Sequence, residues 1–234
     1  MILLLFATEP EAGPFLEGAS WERENIGGKP MFRGVPGGKQ AEVVVSGMGQ
    51  VNTAQALTAY LELRTRPDFI IMGGCAGAFA GKGIAVGDVC FAAEEIYADT
   101  GIHSPEGFLG LEKTGIPLLE AKDAKYYNRF PVQDISYKIA GLKFPFKISS
   151  GPFATVSAVS GTETSAAGIE GTWNPMCENM EGAAAAHVSL MYEIPFAEVR
   201  GISNMAGDRD RARWDIPKAC ADCAAVIKEL MEKI

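Results

Sequence analysis

The chain opens on an unbroken apolar run, residues 1–7 (MILLLFA), whose length suits a buried strand. A second run, residues 42–48 (EVVVSGM), also reads as a strand and ends among Gly47 and Gly49. The pattern then changes period. Between residues 50 and 64, Val51, Ala54, Leu57 and Leu61 recur three and four positions apart, which predicts a helix. Residues 69–72 form an apolar strand broken at Gly73 and Gly74, and residues 87–97 read as a long strand. Residues 100–146 mix Gly, Pro, Lys and aromatic side chains without a clear period; they predict a loop followed by a helix. Residues 181–192 are Ala-rich and helical, and residues 196–202 return to a strand. The last helix starts near Asp215, a capping residue with Pro217 in the first turn, and shows an apolar face of Val226, Ile227, Leu230, Met231 and Ile234. Strands alternating with helices predict an α/β fold with helices on both faces of a sheet. No linker divides the chain, so a single domain over residues 1–234 is expected.

Composition narrows the class. The chain of 234 residues can bury a sizeable core, and 47% hydrophobic with 21% charged residues fits a soluble globular protein. A net charge of −8 offers no basic footprint, which argues against nucleic acid as a partner. No apolar stretch approaches membrane-spanning length, and residues 1–7 lack a basic flank and a cleavage-type ending, so a cytoplasmic location without membrane attachment is expected. The five cysteines, Cys75, Cys90, Cys177, Cys220 and Cys223, are odd in number and mostly scattered, as reduced thiols would be. Cys220 and Cys223 read as the buried face of the last helix. With only His103 and His187 beside them, no four-ligand metal set assembles.

The polar punctuation falls after the strands, where open α/β sheets place ligands. Four segments read as loops of this kind: Thr8-Glu9-Pro10-Glu11, Ser46-Gly47-Met48-Gly49-Gln50, Gly73-Gly74-Cys75-Ala76-Gly77 and Ser203-Asn204-Met205-Ala206. A fifth, Glu178-Asn179-Met180-Glu181-Gly182, leads into a helix. The G-x-G-x-x that starts at Gly47 continues with Asn52 where a dinucleotide site expects Gly or Ala, and no Walker loop occurs. Each remaining polar residue has a plain alternative. Glu9 and Glu11 suit a solvated turn, Glu181 a helix N-terminus, and Asn204 an Asx turn.

Taken in order, the segments resemble the nucleoside phosphorylase/nucleosidase superfamily, in particular its methylthioadenosine/adenosylhomocysteine nucleosidase branch. The resemblance rests on Ser46-Gly47-Met48-Gly49, Gly73-Gly74-Cys75-Ala76-Gly77, Val86-Gly87-Asp88-Val89, Asn179-Met180-Glu181-Gly182-Ala183-Ala184 and Val199-Arg200-Gly201-Ile202-Ser203-Asn204. Gly207-Asp208-Arg209-Asp210 and Trp214-Asp215-Ile216-Pro217 further resemble the futalosine hydrolases within it. That resemblance implies a three-layer α/β/α sandwich around a twisted mixed β-sheet. It implies a homodimer or higher homo-oligomer, a small-molecule purine nucleoside as substrate, and no metal or organic cofactor. The expected reaction is hydrolysis of the N-glycosidic bond of futalosine, releasing hypoxanthine in a bacterial menaquinone route.

Such a cleavage builds positive charge on ribose and negative charge on the departing purine, and needs an activated water. The resemblance assigns water activation to Glu11 and the ribose hydroxyls to Glu181. Met180 and Met48 are expected beside the sugar, and Cys75, Ala76, Gly77, Val159, Ser203 and Trp214 around the substrate. Asn204 stands where the methylthioadenosine nucleosidases carry Asp; an amide both donates and accepts, which favours a 6-oxopurine over adenine. Bacterial phosphorylases of this fold hold phosphate with an Arg in the strand before the second Gly-rich segment. Residues 69–72 supply no such cation, so water is the expected nucleophile. Arg209 and Asp210 read first as a surface pair, with a contact to the benzoate of futalosine as the alternative. The rival readings are a nucleosidase for inosine or methylthioadenosine, a dinucleotide-dependent oxidoreductase, and a noncatalytic nucleoside-binding protein.

Overall fold

The computed structural model describes residues 1–234. Its strands are β1 (Ile2–Phe6), β2 (Trp21–Ile26), β3 (Lys29–Gly34), β4 (Ala41–Val45), β5 (Phe69–Ala78), β6 (Val89–Tyr97), β7 (Gly101–Ser104), β8 (Gly107–Gly110), β9 (Leu119–Ala121), β10 (Ala124–Tyr126), β11 (Arg129–Pro131), β12 (Ile148–Thr155), β13 (Cys177–Asn179) and β14 (Phe196–Met205). The helices are α1 (Glu9–Leu16), α2 (Gln50–Leu63), α3 (Glu163–Trp173), α4 (Gly182–Met191) and α5 (Ile216–Lys233). The central sheet runs β11-β6-β12-β13-β5-β1-β4-β3-β2. β14 pairs parallel with β5 and antiparallel with β6, so β6, β12, β13, β5 and β14 close into a ring.

Side-chain alternation along β1 sets the layers. Ile2, Leu4 and Phe6 pack with Ala12 and Phe15 of α1 and with Val226, Ile227 and Leu230 of α5. Leu3 and Leu5 point the other way, onto Leu57 and Tyr60 of α2 and Ala183 and Ala186 of α4. The result is the three-layer α/β/α arrangement around a mixed sheet. Burying each such Leu contributes about 1.5–3 kcal/mol, and a one-residue slip of β1 would exchange the two faces. No helix is long and apolar enough to cross a membrane.

Four sequence expectations change. Residues 73–77 are not a loop: β5 continues through them, because β14 pairs along it from Phe196↔Ile70 to Met205↔Ala78. For the same reason Ser203, Asn204 and Met205 belong to β14 and are strand residues. Residues 100–146 hold two small hairpins, β7-β8 and β9-β10, the edge strand β11 and 3-10 turns, with no α-helix. Segments of three or four residues cannot display a helical or strand period. Finally, Glu9 and Glu11 lie in α1, whose cap is Thr8, the acceptor for Glu11 N–H.

Candidate active site

The ends of β1, β5, β13 and β14 and the turn before α2 converge on a cavity of about 360 Å³. Every sequence-predicted site residue lines it: Glu11, Met48, Cys75, Ala76, Gly77, Val159, Met180, Glu181, Ser203, Asn204 and Trp214. Thr8, Glu178, Asn179 and Arg209 join them. Glu9 does not; it forms an exposed ion pair with Arg23 at 2.7 Å.

Glu11 is buried at 7% exposure in the first turns of α1. The Thr8 hydroxyl donates to Oε2 at 2.9 Å and the Cys75 backbone N–H to Oε1 at 3.1 Å. These donors fix the carboxylate at the cavity wall. Gly74 makes the approach possible, since a Cβ there would lie 2.6 Å from Glu11 Oε1 and 2.7 Å from Arg200 Nη1. The Cys75 thiol stays protonated: a hydrogen bond with Cys220, burial and the Glu11 charge all push it well above the ordinary thiol range.

Glu181 is the N-cap residue of α4, yet its side chain does not cap that helix. Asn179 Oδ1 accepts instead from the N–H groups of Glu181 and Gly182, at 2.9 and 2.7 Å, and Thr155 Oγ1 accepts from Ala183 N–H at 2.8 Å. With the helix end satisfied by neighbours, the Glu181 carboxylate is released toward the cavity. Its Oε1 accepts from Gly49 N–H at 3.0 Å and its Oε2 from Arg200 Nη2 at 3.4 Å. Gly49 reaches this position with φ 92°, in the left-handed region that favours glycine. Burial pushes the Glu181 carboxyl above its ordinary value, against the opposing pull of Arg200 and the Gly49 amide.

Arg200 is 1% exposed and holds the floor together. Its Nε donates to Glu198 Oε1 at 2.7 Å, and its Nη1 to the Cys75 carbonyl at 3.4 Å. Beneath it, Glu95 accepts from Thr155 Oγ1 and Asn179 Nδ2, both at 2.6 Å, so it anchors the two residues that cap α4. A Cβ at Gly182 would collide with the carboxyl groups of both Glu95 and Glu198. Burial, and then the Glu198 charge, hold Glu95 well above the ordinary carboxylate range. Two carboxyls crowded in a dry site oppose each other's ionisation.

At the other end, the Ser203 hydroxyl donates to Asn204 Oδ1 at 2.8 Å, and Asn204 Nδ2 donates to the Met205 carbonyl at 3.0 Å. Trp214 is fixed by its indole N–H to the Asp208 carbonyl at 3.0 Å, and the Arg209 guanidinium lies 4.6 Å from its ring centroid. Arg209 makes no ion pair with Asp210, which pairs with Arg213 at 3.3 Å; the expected Arg209-Asp210 surface pair is not what forms.

Arg200 also corrects the sequence argument about the nucleophile. A cation does reach the second Gly-rich segment, supplied by β14 and not by residues 69–72. It is already neutralised: Glu198 and Glu181 bond it, and Glu11 adds a third negative charge nearby. An anion entering here would face those carboxylates, so the chemical case for water stands on different residues. No group of three or more His, Cys, Asp or Glu is arranged to hold a metal ion.

A family model described as "Phosphorylase superfamily" matches residues 1–232. A futalosine hydrolase from Thermus thermophilus is 34% identical over 231 residues, covering 99% of this chain and 95% of that protein. A futalosine hydrolase from Acidothermus cellulolyticus is 34% identical over 76% of this chain and 70% of its own length. The fold matches the crystal structure of 5'-methylthioadenosine/S-adenosylhomocysteine nucleosidase from Neisseria meningitidis in complex with methylthio-immucillin-A. The TM-score is 0.84 at 21% identity, covering 100% of this chain and 99% of the other.

Proposed function

The chain belongs to the phosphorylase superfamily, and from that premise we propose that it hydrolyses the N-glycosidic bond of futalosine and releases hypoxanthine. The observation that carries this reading is the cavity itself. Two buried carboxylates, each positioned by a backbone N–H, share it with an amide at Asn204, in a chain 34% identical to a futalosine hydrolase along almost its whole length.

In this reading Glu11 accepts a proton from water as the water attacks the anomeric carbon. The Thr8 hydroxyl and the backbone N–H and thiol of Cys75 leave a lone pair on the carboxylate for that proton. Glu181 accepts hydrogen bonds from the ribose hydroxyls, and its negative charge also favours the positive charge that develops on the sugar. Met48 and Met180 pack on the sugar side. Cys75, Ala76, Gly77, Val159, Ser203 and Trp214 enclose the base. Asn204 bonds the purine N7 and O6 edge as the departing base gains negative charge.

Base release from futalosine, inosine and methylthioadenosine in phosphate-free buffer tests the proposal. Hypoxanthine should appear from futalosine fastest, with no need for added phosphate. Turnover of methylthioadenosine alone would move the function to a sibling nucleosidase. Asn204→Asp should shift the preference from 6-oxo toward 6-amino purines by on the order of 10–100-fold, the effect of one mismatched buried donor or acceptor at about 1–3 kcal/mol. An unchanged preference would mean that another residue reads the base.

A further inference from the structure

Asn204 accepts from Ser203 and donates to Met205, which leaves its amide one N–H and one lone pair for the N7 and O6 edge and leaves N1 unread. An ionised carboxylate, which only accepts, would distinguish the two purine types at N1. One carboxylate at this end of the cavity has no role in the reaction proposed above. Glu178, on β13, lines the cavity and is 3% exposed.

Its surroundings hold it as an acceptor. The Ser160 backbone N–H donates to Oε1 at 3.0 Å and Oε2 at 3.2 Å, and the Ser160 hydroxyl donates to Oε2 at 2.7 Å. No side chain forms an ion pair with it; burial pushes its carboxyl above the ordinary value, and the Ser160 hydrogen bonds and the more distant Arg209 charge oppose that shift in favour of the ionised form. Ser160 therefore fixes the orientation of the carboxylate without filling its lone pairs, of which an ionised carboxylate offers about four. Ser160 also follows Val159, another cavity residue, so the carboxylate sits beside the wall expected to face the base.

Gly77 ties Glu178 to Asn204. A Cβ at that position would lie 3.0 Å from Asn204 Nδ2 and 3.5 Å from Glu178 Cγ. The amide and the carboxylate thus flank one side-chain-free patch of β5, where a flat ring can lie with both groups along its edge. The two purine types differ there. A 6-oxopurine presents an acceptor at O6 and a donor at N1–H. A 6-aminopurine presents a donor at the amino group and an acceptor at N1.

We infer that Glu178 is a specificity-determining residue of this site, accepting the N1–H of a 6-oxopurine beside Asn204 and Gly77 and rejecting a 6-aminopurine by opposing its N1 lone pair. The inference rests on the purine nucleoside reading given above and adds the group that makes the 6-oxo preference firm.

Binding of free bases separates the two ideas. Wild-type protein should bind hypoxanthine at least tenfold more tightly than adenine or 1-methylhypoxanthine. Glu178→Gln, whose amide can donate to N1 of adenine, should reduce the hypoxanthine-to-adenine ratio at least tenfold. A wild-type preference for hypoxanthine that survives Glu178→Gln would overturn the inference and leave the futalosine reading intact. Equal binding of hypoxanthine and 1-methylhypoxanthine to the wild type would overturn it as well, and needs no variant to fold. A wild-type preference for adenine would remove the 6-oxopurine reading, and the inference with it.

Discussion

Glu11→Gln should lower the rate of base release by about 10²–10⁴-fold, the usual contribution of a positioned general base. The substitution keeps the shape of the side chain. The amide oxygen can still accept from Cys75 N–H, as Oε1 does at 3.1 Å, so α1 and β5 should stay in register with one another. What disappears is the basic oxygen, because an amide cannot take a proton from water. The change should therefore fall on kcat, with hypoxanthine binding close to wild type, since Glu11 is not placed against the base. Single-turnover release of base, measured beside hypoxanthine binding, checks both halves. A near-normal rate would take Glu11 out of the chemistry. A parallel loss of base binding would point to a collapsed cavity.

The elements legible in the sequence were those long enough to show a period. The apolar run of β1, the three- and four-residue spacing of α2 and the capped start of α5 all fall where the pattern placed them. β2 is not legible in the sequence, because WERENI leaves only Ile26 buried and carries no apolar alternation. β5 runs further than expected because Gly73 and Gly74 read as strand breakers, and β14 because the polar pair Ser203-Asn204 reads as a turn. In β5 a glycine marks a place where other side chains come close, Glu11 and Arg200 at Gly74.

Eleven of the cavity-lining residues are legible through the resemblance; Thr8, Glu178 and the floor beneath them are not. Arg200 and Glu198 stand two apart in an apolar strand, and such positions share one face. A cation and an anion on the same face of a buried run are a readable sign of an internal ion pair, here 2.7 Å long. Glu95 left no comparable trace. Its relation to Asn179 and Thr155 spans 84 and 60 residues of sequence, and only folding brings the three together.

The second large effect is expected at Glu181. Glu181→Gln should reduce kcat/KM by roughly 10–100-fold, since a hydrogen bond to a charged group is worth about 1.5–3 kcal/mol. The fold should tolerate the change. Arg200 keeps Glu198 as a partner, and α4 is capped by Asn179 and Thr155 and not by Glu181. A pH profile sharpens the argument. The ribose grip needs the ionised carboxylate, and burial raises the Glu181 pKa. Wild-type kcat/KM should thus begin to fall, as pH is lowered, above the ordinary glutamate value of about 4.3. The Gln variant should lose that component. A substrate lacking a ribose hydroxyl isolates the contact itself. If Glu181 holds that hydroxyl, the substitution and the deletion should not add, because each removes the same bond. Equal penalties on the ribosyl and deoxyribosyl substrates would place Glu181 away from the sugar and leave it a partner of Arg200 alone.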